Sequence, residues 1–259
     1  MKKKNLVSIL ITNFNKGNYL KKTINSCLIQ NFKNKEILVF DDCSTDNSLN
    51  ILSEFKEIRV VKNKKKKFKS GPLNQIYGIT KLFKISKGDI IFLLDSDDLF
   101  KKDKLSQIYK IFVKDNKINF LQDIPLYNLD KKRMVLKKKN FTFSIWPSFF
   151  PTSCITIRRD FFLIFLKFLN KNNFPNLEID ARLSIYSFLL NEFVVTQRSL
   201  TIYNYDEFGI SSKYKKYSKF WWKKRNEAFD YLEYVQKKFR INFKKGPDYY
   251  ITKIINFYF

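Results

Sequence analysis

The chain has 259 residues, of which 50 are Lys or Arg and 24 are Asp or Glu, so its formal net charge is +26. This charge favours anionic partners, but because the lysines are spread along the whole chain, codon bias accounts for most of the surplus. The chain has no histidine, which excludes Ser-His and Cys-His nucleophilic sites and histidine-ligated metal sites. Its three cysteines are too few and too scattered for a disulfide framework. Carboxylates are therefore left as the main catalytic groups.

The first residues give no sign of export. Met1 to Lys4 lead into an apolar run from Leu6 to Thr12 that is too short and too polar for a secretory signal. No apolar run approaches the roughly 20 residues of a membrane span. The chain is therefore predicted to be soluble and cytoplasmic, with reduced cysteines.

Up to residue 123, short apolar runs alternate with amphipathic segments. Strands are predicted at 6–12, 36–40, 58–61, 90–94 and 118–121, and helices at 20–28, 49–55, 73–85 and 105–112. This alternation predicts the fold class α/β, doubly wound, with a mostly parallel central sheet flanked by helices.

The segment from Gly88 to Asp98 is the most informative part of this pattern. Five consecutive apolar residues, Ile90 to Leu94, predict a strand that is buried on both faces. Three carboxylates follow at once, on Asp95, Asp97 and Asp98. Ligands of open α/β sheets lie beyond the carboxyl ends of the strands, and clustered carboxylates repel one another unless a cation is present. A polar turn that closes a core strand is the alternative interpretation.

The pattern weakens after residue 123. Leu126 to Asn140 is basic and predicts a hairpin or an excursion, and Phe141 to Thr156 is aromatic and either lines a cleft or covers the sheet. A second acidic cluster, with Glu178 and Asp180, precedes the helix predicted from Leu183 to Leu190. A carboxylate at the start of a helix is also explained by the helix dipole, so a structural role is the alternative to a catalytic one.

The segment 213–259 differs in composition from the rest. It contains 13 Lys and Arg against 4 Asp and Glu, and 15 of the 45 aromatic residues of the chain. Aromatic and basic residues around Trp221 and Trp222 predict an amphipathic helix. Three interpretations remain open: binding to an anionic membrane surface, binding to single-stranded nucleic acid, or packing on the preceding domain.

The two acidic clusters suit a two-part reaction. Asp95 and Asp97 are two positions apart on a predicted turn, and Mg²⁺ or Mn²⁺ binds through one or two carboxylates together with substrate phosphates. Asp180 is a candidate general base for a hydroxyl nucleophile. Asp42, after the second strand, is expected at the same sheet edge, where it would bind a base or a ribose. The pattern predicts metal-assisted transfer from a nucleotide-activated donor.

Three blocks of sequence carry a family resemblance. They are residues 7–15, 36–48 and 87–98, and their order and spacing together are specific although each block alone is weak. With them, the chain resembles family 2 glycosyltransferases of the GT-A fold over roughly residues 5–212. The resemblance implies a glycosyltransferase domain at 1–212, with a nucleotide-binding half at 1–123 and an acceptor-side half at 124–212, followed by a basic aromatic helical tail at 213–259.

The resemblance also implies roles for residues on the donor side. Thr12 and Phe14 would border the nucleobase, and Asp42 would accept a hydrogen bond from the uracil of a UDP-sugar. Asp95 would bind the ribose, and Asp97 would bind Mn²⁺ or Mg²⁺.

On the acceptor side, the resemblance implies that Asp180 is the catalytic base, with Glu178 as the competing candidate. The implied reaction is a single inverting displacement onto an acceptor hydroxyl. Many members carry an Arg-Asn pair where this chain has Gln75 and Ile76. The Gln-x-x-Arg-Trp element of polymer-making members is absent, which indicates a non-processive enzyme that adds one sugar.

Such enzymes build bacterial surface glycans on lipid carriers, and a peripheral location on the inner face of the cytoplasmic membrane would suit the tail. The expected partners are a nucleotide-sugar donor and a glycan or lipid-linked acceptor. A non-catalytic GT-A-like module that binds a membrane surface or a partner protein is the alternative. Nucleic acid is not expected as a partner, because carboxylates at a binding edge repel phosphates.

Overall fold

The structure is a computed structural model that describes residues 5–129, 132–134, 143–144, 146, 149–169, 173–204, 214–242 and 244–259. The proposed boundary between residues 212 and 213 lies outside the described residues, as do most of the excursion predicted at 126–140 and part of the aromatic segment at 141–156.

The described residues form ten strands and eight α-helices. The strands are β1 (Val7–Asn13), β2 (Lys35–Asp41), β3 (Ile58–Lys62), β4 (Ile90–Asp95), β5 (Leu99–Phe100), β6 (Phe120–Gln122), β7 (Leu126–Tyr127), β8 (Ile155–Arg158), β9 (Phe193–Val195) and β10 (Thr201–Tyr203). The helices are α1 (Gly17–Leu28), α2 (Ser48–Ser53), α3 (Gly71–Ile85), α4 (Lys104–Lys114), α5 (Arg159–Phe168), α6 (Ile179–Leu189), α7 (Lys219–Phe239) and α8 (Pro247–Phe257).

Seven strands form the main sheet, in the order β3-β2-β1-β4-β8-β6-β9. All of them run in one direction except β8, which is antiparallel to its neighbours β4 and β6. The predicted α/β fold with a mostly parallel central sheet flanked by helices is therefore confirmed. The parallel strands β1, β2 and β4 end at the same edge of the sheet, where Thr12 pairs with Asp95 and Asn13 pairs with Asp41.

The main sheet is buried on both faces because its strands are continuous apolar runs. In β4, Ile91 and Leu93 belong to one core cluster, whereas Ile90, Phe92 and Leu94 belong to another on the opposite face. The first cluster lies under α3, α5, α6 and α7, and the second under α1, α2 and α4. A strand that points apolar residues to both faces needs helices on both sides, as the sequence predicted.

A second, three-stranded sheet has the order β5-β10-β7. Strand β5 follows the carboxylate turn after β4, and β10 pairs with it in antiparallel fashion, Thr201 opposite Phe100. This small sheet brings Tyr203 and Asn204, from the predicted acceptor-side half, to the end of β4. The sequence did not predict it, since strands of two or three residues have no readable alternation.

Helix α7 packs on the α5–α6 face of the domain. Its residues Phe229, Tyr231, Leu232 and Val235 are buried in the first core cluster. Among the described residues, no helix is both long enough and apolar enough to cross a membrane. The packing agrees with the third interpretation of the segment 213–259, in which it packs on the preceding domain.

Candidate active site

Three carboxylates lie in a tight turn at the end of β4. The Asp98 N–H donates to the carbonyl oxygen of Asp95 at 3.1 Å, which closes the turn. The Asp98 side chain is fully buried and accepts hydrogen bonds from the Ser153 hydroxyl at 2.5 Å and the Asn204 N–H at 2.8 Å. Burial, and then the charges of Asp97 and Asp95, raises the pKa of Asp98 well above its usual range. Asp98 therefore holds the turn in place.

Asp95 is held from several sides. Its Oδ1 accepts hydrogen bonds from the Gln75 side-chain amide at 2.8 Å and from the Thr12 hydroxyl at 3.4 Å. Its backbone N–H donates to the Ser153 hydroxyl at 3.0 Å. Burial, and then the neighbouring charge of Asp97, raises the pKa of Asp95 to about 7. Gln75, the residue at which the chain departs from the usual Arg-Asn pair, thus orients this carboxylate.

Asp97 faces a positive charge. The Lys16 ammonium lies 2.6 Å from its Oδ2, and the Asp97 side chain is 15% exposed. The backbone carbonyl of Asp97 accepts a hydrogen bond from the Asn204 side-chain amide. Lys16 comes from the polar turn after β1, so the ion pair joins the ends of two adjacent parallel strands.

Asp42 and Phe14 lie at the same edge, beyond β2 and β1. Asp42 is buried, its Oδ1 accepts a hydrogen bond from the Asn63 side-chain amide at 2.8 Å, and its backbone N–H donates to the Asn13 carbonyl. The Phe14 ring is 42% exposed, and the Lys66 ammonium lies 3.2 Å from its centroid. An exposed ring beside a fixed carboxylate is an arrangement that can stack on a base and hydrogen-bond its edge.

Asp180 and Glu178 stand at the start of α6 in different environments. The Asp180 Oδ1 accepts a hydrogen bond from the Ala181 N–H at 2.6 Å. Glu178 is buried, and its Oε1 is 2.5 Å from the ammonium of Lys224 on α7. Burial, and then the charge of Glu178, raises the pKa of Asp180 to about 7, while Lys224 opposes this rise. A carboxyl with a pKa near neutrality suits general base catalysis, and an ion-paired one suits it less.

The fold brings Asp180 toward the β4 turn. The charge of Asp180 contributes to the raised pKa of Asp95, although the two residues are 85 positions apart in the chain. Tyr203 on β10 responds to the same group of charges: burial, followed by Asp98, Asp95, Asp97 and Asp180, raises the pKa of its phenol above the usual range. Tyr203 therefore lies close enough to both predicted acidic clusters to respond to their charges.

Three ionisable residues at this site, Lys16, Lys224 and Tyr203, were missed by the sequence analysis. Lys16 lies in a polar turn after a predicted strand, so its position was a usable signal. Lys224 and Tyr203 had no such signal, because one is a lysine in a lysine-rich segment and the other lies in a three-residue strand. Only the packing of α7 and the small sheet shows where they point.

The residues at the β4 turn fit a divalent cation whose coordination is completed by substrate. Among the described residues there is no group of three or more His, Cys, Asp or Glu that could hold a metal ion alone. Mg²⁺ and Mn²⁺ are bound through one or two carboxylates plus phosphate oxygens, so a full protein cage is not required. The short contact between Asp97 and the Lys16 ammonium shows that this carboxylate is oriented toward a positive charge.

A family model described as glycosyl transferase family 2 matches residues 8–174, more than half of the chain. The chain belongs to this family. The resemblance drawn from the three sequence blocks is thereby confirmed. The match ends before Asp180 and before α7, so it includes the β4 turn but neither the proposed base nor the C-terminal helices.

Two relatives of this chain are glycosyltransferases by name. The UDP-Glc:α-D-GlcNAc-diphosphoundecaprenol β-1,3-glucosyltransferase WfaP of Escherichia coli is 37% identical over 119 residues, which cover 45% of this chain and 41% of WfaP. The poly(ribitol-phosphate) β-N-acetylglucosaminyltransferase TarP of Staphylococcus aureus is 32% identical over 139 residues, which cover 52% of this chain and 40% of TarP. The matched part of the chain thus spans about two fifths of the length of these two relatives.

Solved structures share the fold of this chain. Residues 1–349 of TarS from Staphylococcus aureus, in complex with UDP-GlcNAc, superpose with a TM-score of 0.63 at 19% identity and cover 87% of this chain and 66% of that one. The mannosyltransferase PcManGT from Pyrobaculum calidifontis, in complex with GDP-Man and Mn²⁺, gives a TM-score of 0.60 at 12% identity and covers 97% of this chain and 69% of that one. The predicted GT-A fold is confirmed.

Proposed function

We propose that this chain is a metal-dependent, inverting, non-processive glycosyltransferase that moves one sugar from a nucleotide-sugar, a UDP-sugar in particular, to an acceptor hydroxyl. The observation that carries the proposal is the pairing of two acidic clusters. Asp95 and Asp97 end a central strand, and Asp180 is close enough for its charge to raise the pKa of Asp95. Two carboxylate sets with separate environments provide a donor side and an acceptor side.

On the donor side, Thr12 and Phe14 would border the nucleobase, Asp42 would bind its edge and Asp95 would bind the ribose. Asp97 would hold Mn²⁺ or Mg²⁺ together with the diphosphate of the donor. When bound, the cation neutralises charge that builds on the leaving diphosphate. Lys16, which now faces Asp97 at 2.6 Å, is placed to bind the same phosphates once they enter.

On the acceptor side, Asp180 would take the proton from the acceptor hydroxyl. The oxygen then attacks the anomeric carbon, the bond from that carbon to the diphosphate breaks, and the nucleoside diphosphate leaves with the electron pair. Because one displacement occurs, the configuration at the anomeric carbon inverts. Asp180 is preferred to Glu178 as the base, since the Glu178 carboxylate is already bound to Lys224 at 2.5 Å.

The class of acceptor follows from the relatives. WfaP is named for an acceptor linked to diphosphoundecaprenol and TarP for poly(ribitol-phosphate). We therefore propose a glycan or lipid-linked acceptor for this chain. We also propose a cytoplasmic location on the inner face of the membrane, where the segment 213–259 would contact an anionic membrane surface.

The proposal is tested with a panel of nucleotide-sugars and three isosteric variants. Thermal stabilisation in the presence of Mn²⁺ identifies the donor, since a ligand that binds the native state raises stability by mass action. With that donor, Asp97→Asn should abolish metal-dependent turnover. Asp180→Asn should lower transfer by roughly 10²–10⁴-fold while it leaves donor affinity unchanged in calorimetry, which is the range for a general base.

Glu178→Gln is the matched control for the base, because it neutralises the neighbouring carboxylate of the same cluster. If Glu178→Gln loses transfer and Asp180→Asn does not, the base is misassigned. If no nucleotide-sugar stabilises the protein and Asp97→Asn changes nothing, the chain is a non-catalytic GT-A-like module.

A further inference from the structure

Helix α8 is folded with its polar side inward. Its four polar residues other than tyrosine all have partners within the protein. Asp248 and Thr252 bind Arg225, Lys253 binds Asp230, and the Asn256 amide donates to the Trp222 carbonyl. Amphipathic helices of globular domains normally turn their apolar side to the core and their polar side to water. Here the arrangement is reversed.

The outward side of α8 consists of large apolar and aromatic residues. Tyr250, Ile251, Ile254, Phe257 and the following Tyr258 are 57%, 42%, 59%, 85% and 80% exposed. Their spacing of one, three, three and one positions puts them on a single helical face. We call these five residues the α8 outer face. A contiguous apolar face that is kept out of the core marks an interaction surface.

The surroundings of the α8 outer face are basic. The Lys219 ammonium, at the start of α7, lies 5.3 Å from the centroid of the Phe259 ring. Lys215, Lys216 and Lys223 on the same stretch are exposed.

Acidic residues of this region do not offset these lysines. In the described part of 214–259, three of the four carboxylates form ion pairs with basic residues, and the fourth, on Glu227, is held by a neutral amide. Asp230 binds Lys253, Glu233 binds Lys245, Asp248 binds Arg225, and Glu227 binds the Asn176 amide. The rim of the α8 outer face is therefore positive.

We propose that the α8 outer face docks on an anionic lipid surface. Tyrosine and phenylalanine side chains suit the boundary between headgroups and acyl chains, and flanking lysines are attracted to anionic headgroups. A second copy of this chain fits less well, because a symmetric contact would bring one lysine rim against the other. The occupant that matches both the apolar centre and the basic rim is a bilayer of negative charge.

Docking would also orient the candidate active site. Helix α7 joins the two regions, since Trp222 contacts α8 and Lys224 binds Glu178, two residues before Asp180. Docking through α8 would therefore hold the proposed acceptor side close to the lipid surface, where a lipid-linked acceptor would be. The docking assigns the membrane contact proposed above to one helix face, and the orientation of the site rests in addition on the proposed glycosyl transfer.

The test uses the full chain and sedimentation with vesicles of phosphatidylcholine, with and without phosphatidylglycerol. The protein should sediment with the anionic vesicles and be released as salt is raised. The double variant Ile254→Asp, Phe257→Asp should weaken binding at least about tenfold, because two apolar side chains no longer enter the interface. The matched control is Val113→Asp, Ile164→Asp, which makes the same charge change at residues 64% and 55% exposed on other helices.

Equal binding by the α8 double variant and its control would overturn the proposal. The face would instead belong to a contact with a second copy if two results came together. The wild type would form a concentration-dependent dimer in sedimentation equilibrium that the α8 variant does not form, and neither protein would bind vesicles. Donor binding in calorimetry separates the two proposals, since it should be unchanged in both double variants. Failure of every variant and of the wild type to bind a nucleotide-sugar would count against the proposed function and not against docking.

Discussion

At the level of single residues, Lys224 sets the charge around the proposed base. Its ammonium is 2.5 Å from Glu178, whose negative charge is the largest electrostatic contribution that raises the pKa of Asp180. Lys224 itself acts on Asp180 in the opposite direction. Because Lys224 comes from α7, the helical tail that lies outside the family match contributes a residue to the proposed acceptor side.

Replacing this lysine should shift the pH profile of transfer. In Lys224→Met, Glu178 loses its counter-ion, so the pKa of Asp180 should rise further above neutrality. The base must be ionised to accept a proton, and the acid limb of kcat/KM should therefore move to higher pH. The measurement is kcat/KM between pH 5.5 and 9, with Lys223→Met as control, since Lys223 is the exposed neighbour on the same helix. A uniform loss of activity without a shift of the limb would mean that Lys224 is only structural.

At the level of elements, a buried ion pair joins the two sheets. The Lys104 ammonium, at the start of α4, is 2.6 Å from the Asp123 carboxylate, and both side chains are fully buried. The same ammonium donates to the Ser153 carbonyl at 2.7 Å and the Thr201 hydroxyl at 2.6 Å. Ser153 in turn binds Asp98 in the turn after β4. The pair thus supports the turn that carries the donor-side carboxylates.

The loss of Lys104 should be costly, since it leaves a buried carboxylate without its counter-ion. We expect Lys104→Met to lower the free energy of unfolding by about 3–5 kcal/mol, the range for breaking a buried pair. The control is Lys21→Met, because the Lys21–Glu54 pair has the same length of 2.6 Å but is 59% and 49% exposed. That variant should lose less than about 1 kcal/mol. Urea unfolding monitored by circular dichroism measures both, and equal losses would show that burial of the pair is unimportant.

The sequence predicted the elements whose signal is continuous and missed those that depend on tertiary pairing. Strands β1, β2 and β4 are six or seven residues long and mostly apolar, and the structure has them within one or two residues of the predicted bounds. Strand β8 follows an aromatic, proline-containing segment, and nothing in its four residues indicates that it inserts antiparallel between β4 and β6. Lys104 is one lysine among many in a basic chain, so only its burial distinguishes it.

At the level of the whole molecule, the absence of histidine simplifies the response to pH. The chain has no imidazole that could titrate between pH 5 and 8. Any pH dependence of the free energy of unfolding in that range therefore comes from other groups whose pKa is shifted into it. The pKa of Asp180 is raised to about 7, and those of Asp95 and Asp98 are raised as well. All three shifts have burial as their first cause and therefore act in the same direction.

The sign of the effect follows from proton binding. In the unfolded chain Asp180 titrates near the ordinary value of 3.8, whereas in the folded protein it titrates at about 7. Between these two values the folded state binds more protons than the unfolded state, so the free energy of unfolding falls as pH rises. Because Asp180 and Asp95 are partly exposed, water reduces the effect, and we expect a total loss on the order of 1–3 kcal/mol from pH 5 to 8.

Asp180→Asn should flatten this decline, since asparagine keeps the shape of the side chain and does not titrate. The variant should be no more stable than the wild type at pH 5 and more stable than it at pH 8. Asp160→Asn, which neutralises an exposed carboxylate on α5, should leave the pH dependence as in the wild type. Urea unfolding at pH 5, 6.5 and 8, with a chelator and without nucleotide, gives the three curves. A wild-type stability that rises steadily with pH would contradict the assignment, because the folded protein would then bind fewer protons than the unfolded chain.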